Sequence, residues 1–279
     1  MAYDIELMRH SLAHVMAAAV KKLHPEVKFA GGPAIENGFY YDFDTEYRFS
    51  EEDFAKIEKE MRDLIKSNGR FEQRNVSIDE AKEIFANQPY KMEWLNEYDA
   101  AGEALSIYTF RDFVDLCRGP HVESSKDLPR DAFKIRSVAG AYWKGNAKNK
   151  MLQRIYVDAF ASKEELDAFL KMQEEAAARD NRKLGKDMDL FHFEPEYAPG
   201  SVFWHDKGYK IYRKMVEYLR TRQEMAGYIE VSTPSIMDRC LWEKSGHWAK
   251  YGEHNYSGKT QDGKVFCIKP MSCPGGMLV

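Results

Sequence analysis

Two pairs of side chains in this chain are spaced for chemistry. His10-Ser11-Leu12-Ala13-His14 sets two imidazoles four residues apart, and Cys117-Arg118-Gly119-Pro120-His121 sets a thiol and an imidazole four apart. On a helix the first spacing places both rings on one face, with Cβ atoms about 5–6 Å apart. If the second pair converges on the first, one thiol and three imidazoles meet at a point. Such a set suits tetrahedral zinc. It equally suits a hydrolytic site in which an imidazole holds a water as general base and the thiol supplies polarity. Taken singly, a histidine pair on a helix is most often incidental and a cysteine before Gly-Pro is most often just buried. The combination is harder to dismiss, because three of the eight histidines fall into it. Lys91 and Asp115 join the candidates. Asp115 stands two residues before Cys117 and in a strand would project to the same side.

The elements around these residues must position them. Residues Ile5 to Lys22 read as a helix with Leu7, Leu12, Val15 and Ala19 on one side. Ala30-Gly31-Gly32-Pro33 breaks the chain, and Gly38 to Phe43 reads as a strand. Ser50 with Asp53 resembles a capping box opening a helix whose apolar face is Phe54, Ile57, Met61, Leu64 and Ile65. Ser77 with Glu80 opens a shorter one. Leu105–Phe110 and Met151–Phe160 are β-rich, and Ser162 with Glu165 caps a long helix. The charged tail from Arg179 to Lys186 marks a boundary. Beyond it, a helix from about Gly208 to Met225 ends at Gly227, and Tyr228 to Thr233 reads as a strand closed by Pro234. Helices and strands mix without regular βαβ alternation, so the fold class is α+β.

Composition narrows the partners. At 279 residues the chain has room for two domains. No apolar run approaches the roughly 18 residues of a membrane span. Met1-Ala2-Tyr3-Asp4-Ile5-Glu6 lacks the basic and apolar regions of a signal peptide, so a cytoplasmic location is expected. Cys117, Cys240, Cys267 and Cys273 form no disulfide framework. The net charge of −4 argues against a non-specific nucleic-acid coat but allows a local basic face. Between Phe133 and Ile155 there are Lys134, Arg136, Lys144, Lys148, Lys150 and Arg154 and no acid, with Tyr142 and Trp143 among them. These could bind phosphates and stack on bases. They could equally be a sheet edge kept soluble by lysines.

The motifs together resemble a known family. Arg9 to His14, Asn37 to Asp42, Asp115 to His121, Ala139 to Trp143 and Asn149 to Tyr156 look like the editing domain of bacterial threonyl-tRNA synthetases, which has relatives in alanyl-tRNA synthetases and free-standing alanyl-tRNA deacylases. Ala198-Pro199-Gly200 with Phe203-Trp204-His205, Tyr228 to Pro234 (similar to class II motif 1), Asp238 to Trp248 and Lys269 to Gly275 resemble the threonyl enzyme's catalytic domain.

The resemblance implies an editing domain over residues 1–161, a helical linker over 162–186 and the N-terminal part of a class II catalytic domain over 187–279. In the full-length enzyme it implies ATP-dependent attachment of threonine to tRNA(Thr), with ATP and magnesium, and hydrolysis of mischarged seryl-tRNA(Thr) by the first domain. His10, His14, Lys91, Asp115, Cys117 and His121 match the family's editing residues. Either His10 or Lys91 would position the water, while Cys117 and His121 shape the pocket around serine. Alanyl-type relatives hold zinc with this cluster; the threonyl type implies none there. Met271 matches a substrate contact, and Cys273 the first ligand of the synthetic-site zinc, whose other ligands are expected past Val279 along with motifs 2 and 3. Gly276 departs from the histidine common at its position. The chain is therefore expected to retain at most editing, and a homodimer through motif 1 is implied for the full-length enzyme. The alternatives are a trans-acting deacylase and a non-catalytic tRNA-binding module.

Overall fold

The computed structural model describes residues 4–279. Met1, Ala2 and Tyr3, which open the stretch read as lacking a signal peptide, lie outside the described residues. The chain divides into two compact units, Met1–Ala178 and Arg179–Val279.

The first unit runs α1 (Ile5–Leu23), β1 (Lys28–Gly31), β2 (Ala34–Ile35), β3 (Gly38–Asp44), α2 (Glu51–Lys66), β4 (Phe71–Val76), α3 (Ile78–Ile84), α4 (Pro89–Ala101), β5 (Leu105–Phe110), β6 (Phe113–Leu116), β7 (Phe133–Tyr142), β8 (Met151–Ala159) and α5 (Lys163–Ala178). One antiparallel sheet has the order β1-β3-β8-β7, with β2 also pairing with β3. A second has the order β4-β5-β6. This is the α+β class expected from the sequence.

Local signals act as their chemistry dictates. Ser50 and Asp53 form the reciprocal capping box at the start of α2, and the Ser77 hydroxyl accepts the Glu80 amide at the start of α3. Helix α1 differs from its one-sided reading: apart from His10 it is buried all round from Met8 to Val20. It packs against α2 and β3 and reaches β5 and β6, so both faces need apolar or satisfied side chains. Buried Arg9 meets that condition by donating to the carbonyls of Ala159, Ile35 and Glu36.

Two glycines are required by close approach. A Cβ on Gly38 would stand 1.8 Å from the Val157 carbonyl oxygen across the β3–β8 ladder. Gly119, at φ +69°, would set one 2.2 Å from the Tyr108 hydroxyl.

The basic run lies on β7, β8 and their connection, and β7 is an edge strand. Lys134 pairs with Glu58, Arg136 with Asp158, Lys144 with Glu93 and Glu97, Lys150 with Asp44, and Arg154 with Asp42. Trp143 is buried and donates to Glu93. These five cations are neutralised by carboxylates from elsewhere in the chain, which favours the protected-edge reading over a bare phosphate-binding face.

The second unit runs α6 (Asn181–Asp187), β9 (Phe191–Phe193), β10 (Val202–Trp204), α7 (Asp206–Met225), β11 (Ile236–Asp238), α8 (Arg239–Lys244), α9 (His247–Tyr251), β12 (Ser257–Lys259), β13 (Val265–Ile268) and α10 (Cys273–Gly276). It contains a β9–β10 hairpin and a β11-β13-β12 sheet. The strand expected over Tyr228 to Thr233 is absent. Among the described residues it has no partner strand, and Tyr228, Ile229 and Val231 are exposed. An extended segment without a ladder is not a strand. Helix α7 exposes Ile211, Met215 and Leu219. Among the described residues no helix is long and apolar enough to cross a membrane.

Candidate active site

The site is built by α1 from one side and the β5–β6 hairpin from the other. Residues His10 and His14 lie one turn apart on α1, with ring centroids 5.2 Å apart. Strand β6 ends at Leu116, and the ladder continues one step further: the Cys117 amide donates to the Ser106 carbonyl, and the Ser106 hydroxyl to the Cys117 carbonyl. That fixes Cys117 against α1. The chain then turns through Gly119-Pro120 and brings His121 back over the same helix. The ring of His121 lies 4.3 Å from His10 and 4.2 Å from His14, centroid to centroid. It stacks on Phe71 at 5.3 Å and takes Tyr108 edge-on at 4.4 Å.

The polar atoms converge. Cys117 Sγ is 3.4 Å from His10 Nε2 and 3.4 Å from His121 Nε2, and accepts the Gly119 amide at 3.2 Å. One ligand atom from each of His10, His14, Cys117 and His121 lies within 4.8 Å of the others.

Behind His14 is a charged layer. Asp115 Oδ2 is 3.5 Å from His14 Nε2 and accepts the Tyr41 hydroxyl at 2.7 Å. The ammonium of Lys91, carried by the first turn of α4, forms an ion pair with the other oxygen of Asp115 and lies 3.4 Å from the Tyr41 hydroxyl. Lys91 and Asp115 are 3% and 2% exposed, so this pair is buried. With Nε2 of His14 facing the carboxylate, its Nδ1 is buried without a hydrogen-bond partner among the described residues.

Burial governs the protonation. It holds the His10 imidazole below the ordinary histidine range, partly opposed by Asp115. The same effect, reinforced by His10 and Lys91, holds His14 well below that range, and His121 is lowered by burial, His14 and His10. Burial pushes the Cys117 thiol up to about 11, against the Gly119 amide that favours thiolate. At neutral pH the cluster is thus three uncharged imidazoles and an uncharged thiol. A cleft of about 720 Å³ reaches His121 past Leu7, Arg70, Phe71 and Ser124. A smaller one of about 280 Å³ reaches Cys117 past Tyr98, Ser106 and Arg118.

All six residues singled out here by sequence therefore lie in one neighbourhood. Reading the sequence alone missed Ser11, Tyr41 and Tyr108. Ser11 lies inside the histidine pair, and Tyr41 inside the Asn37 to Asp42 motif, so the signal was adjacency to residues already chosen. The remaining two candidates lie in the second unit, where Met271 and Cys273 are exposed.

The donor set fits a metal in one place and not in the other. Tetrahedral zinc with bonds of about 2.0–2.3 Å spaces its ligand atoms roughly 3.3–3.6 Å apart; the two 3.4 Å contacts of Cys117 match that, and the four ligand atoms as a set lie within a looser 4.8 Å. Among the described residues Cys273 belongs to no such group. It sits at the start of the short helix α10, and a lone cysteine does not hold zinc.

Comparison with known proteins follows the same line. Residues 105–156, which carry β5, β6, Cys117, His121 and most of β8, match the family described as the Threonyl and Alanyl tRNA synthetase second additional domain. A threonine--tRNA ligase of Pelagibacter ubique (strain HTCC1062) is 50% identical over 277 residues, which is 99% of this chain and 43% of that protein. The chain is homologous to part of the threonine--tRNA ligases. A second, from Burkholderia mallei (strain SAVP1), is 48% identical over 280 residues and is likewise covered to 43% of its length. The chain thus spans under half of the curated threonine--tRNA ligases it matches. A solved structure described as the RNA binding domain of Threonyl-tRNA synthetase from Cryptosporidium parvum Iowa II is 36% identical over 36% of this chain and 25% of that one. Its TM-score is 0.35, too low to bear on the fold.

Proposed function

We propose that the first unit is the editing hydrolase of a threonine--tRNA ligase, cleaving serine from seryl-tRNA(Thr). The observation that carries this reading is the convergence of His10, His14, Cys117 and His121, uncharged and edged by clefts, in a chain homologous to those enzymes along its length.

Editing is needed because threonine exceeds serine by one methyl group. A methyl is worth only about 1–3 kcal/mol, or roughly 10–200-fold, in a binding pocket. A second site that admits serine and excludes the larger threonine multiplies that selectivity. In the ester hydrolysis, a water oxygen attacks the seryl carbonyl while His10 takes its proton. The tetrahedral intermediate then collapses, the ribose oxygen leaves, and the proton on His10 passes to it. Serine and tRNA(Thr) are the products.

His10 takes the base role rather than Lys91, because the Lys91 ammonium is buried against Asp115 and Tyr41. Cys117 and His121 wall the serine pocket. Asp115 orients His14, and Lys91 and Tyr41 hold Asp115. A zinc ion, when bound, would be held by His10, His14, Cys117 and His121 and would supply polarisation of the carbonyl or water.

We further propose that 1–161 forms the editing domain, 162–186 a linker, and 187–279 the first part of a class II catalytic domain. That domain, in the whole enzyme, joins threonine to tRNA(Thr) with ATP and magnesium and dimerises through motif 1. There Met271 contacts substrate and Cys273 supplies one zinc ligand.

The test is single-turnover deacylation of seryl-tRNA(Thr) by the chain and by His10→Ala, with tRNA binding measured in parallel and with and without chelator. Loss of hydrolysis with retained binding, insensitive to chelator, supports a metal-free base at His10. Unchanged hydrolysis in His10→Ala removes His10 from that role, and chelator-sensitive hydrolysis assigns the cluster to zinc.

A further inference from the structure

Hydrogen positions around His121 follow from the heavy atoms. Ser11 Oγ lies 2.9 Å from the Leu7 carbonyl oxygen. Two oxygens that close need a hydrogen between them, and only the hydroxyl has one to give. The Ser11 proton therefore points at Leu7. The same Oγ accepts the Val122 amide at 3.1 Å. Its last partner is Nδ1 of His121, also at 3.1 Å. With the hydroxyl proton committed, that contact is a hydrogen bond only when the ring carries its hydrogen on Nδ1. One donor and two acceptor positions of the hydroxyl are then all used.

The consequence passes through the ring to the sulfur. An uncharged imidazole with hydrogen on Nδ1 has a bare lone pair on Nε2. That lone pair faces Cys117 Sγ at 3.4 Å. With Nε2 bare, a hydrogen bond at this contact can only run from the thiol S–H to the ring nitrogen. Nε2 of His10 also lies 3.4 Å from the same sulfur.

We propose that Ser11 is a positioning residue that holds His121 as its Nδ1–H tautomer and so presents the bare Nε2 of His121 to the Cys117 sulfur. The effect on the reaction rests on the hydrolytic reading of the cluster; the tautomer of His121 does not. Ser11 is fully buried and lines neither of the two clefts at the cluster, so its effect reaches the reaction through His121.

The test is long-range proton–nitrogen NMR of the full chain labelled in its histidines, treated with chelator at neutral pH, with His121 assigned by comparison with His121→Gln. The expected result is a protonated Nδ1 and an unprotonated Nε2 on His121, with the Nε2–H form appearing in Ser11→Ala and receding in Ser11→Thr, which keeps a hydroxyl. In parallel, kcat for seryl-tRNA(Thr) falls roughly five- to tenfold in Ser11→Ala, the equivalent of one neutral hydrogen bond, with KM unchanged. An Nε2–H tautomer in the unmodified chain overturns the proposal by itself. An Nδ1–H tautomer that persists in Ser11→Ala also overturns it. If the chain hydrolyses no ester while His121 shows the expected tautomer and Ser11 dependence, the editing reading fails and the positioning of His121 by Ser11 stands.

Discussion

Removing the Asp115 carboxylate should be among the most damaging single changes in the first unit. Asp115→Ala strands the Lys91 ammonium, 3% exposed, without a counter-charge, and leaves the Tyr41 hydroxyl without its 2.7 Å acceptor. Breaking a buried ion pair from one side costs about 3–5 kcal/mol. Small domains have only about 5–15 kcal/mol in total, so the unit would lose a large share of its stability. Lys91→Met leaves the carboxylate buried but still bonded to Tyr41, and should cost about 2–3 kcal/mol. The double variant Asp115→Ala/Lys91→Met removes both charges and should cost no more than the worse single change. The coupling energy is therefore about 2–3 kcal/mol, near the upper end for contacting residues. Urea unfolding read by hydrogen exchange of β3, β6 and β8 peptides reports the first unit separately. A loss under 1 kcal/mol in Asp115→Ala, or a double variant that costs the sum of the singles, would refute the reasoning.

Other outcomes follow from the same geometry. His14 and His121 are kept uncharged by burial when folded but titrate near about 6.5 when unfolded. The unfolded chain then binds more protons below about pH 6.5, so stability complete above that value is lost as pH falls. Urea midpoints of chelator-treated protein at pH 7.5 and 5 should show this, and the drop should shrink in His14→Gln/His121→Gln. The Cys117 thiol, pushed up to about 11 and walled by rings, should react with iodoacetamide at pH 7.5 well after exposed Cys240 and Cys273, as peptide mass spectrometry can order. Gly119→Ala meets the Tyr108 hydroxyl at 2.2 Å from a left-handed backbone, so it should cost at least about 1 kcal/mol and lower deacylation by displacing Cys117 and His121. Deacylation equal to the unmodified chain would show that the turn does not position them.

Much of the site was legible because it is written in local spacing. The histidine pair requires only that α1 be a helix, and caps at Ser50 and Ser77 are read from residues three apart. What was not legible depends on distant contacts. Nothing near Ser11 says that Leu7, Val122 and His121 will share its hydroxyl, since two of those partners lie over 100 residues away. Helix α1 looked one-sided because its flanking α2 and β5–β6 hairpin come later in the chain. The run from Lys134 to Arg154 could be read either as a basic face or as a solvated edge because most of its acids, among them Asp42, Glu58 and Glu93, lie at least 40 residues earlier. Tyr228 to Thr233 has strand-like residues, but composition alone supplies no neighbouring strand.

The central claim is that the half-buried His/Cys cluster hydrolyses serine, and not threonine, from tRNA(Thr). The most direct measurement is the pair of single-turnover rates of the unmodified chain on seryl-tRNA(Thr) and threonyl-tRNA(Thr). The account predicts rapid release of serine and, from the exclusion of one methyl group, release of threonine slower by roughly 10–200-fold. Equal rates for the two esters, or no hydrolysis of either by folded protein that binds tRNA, would contradict it.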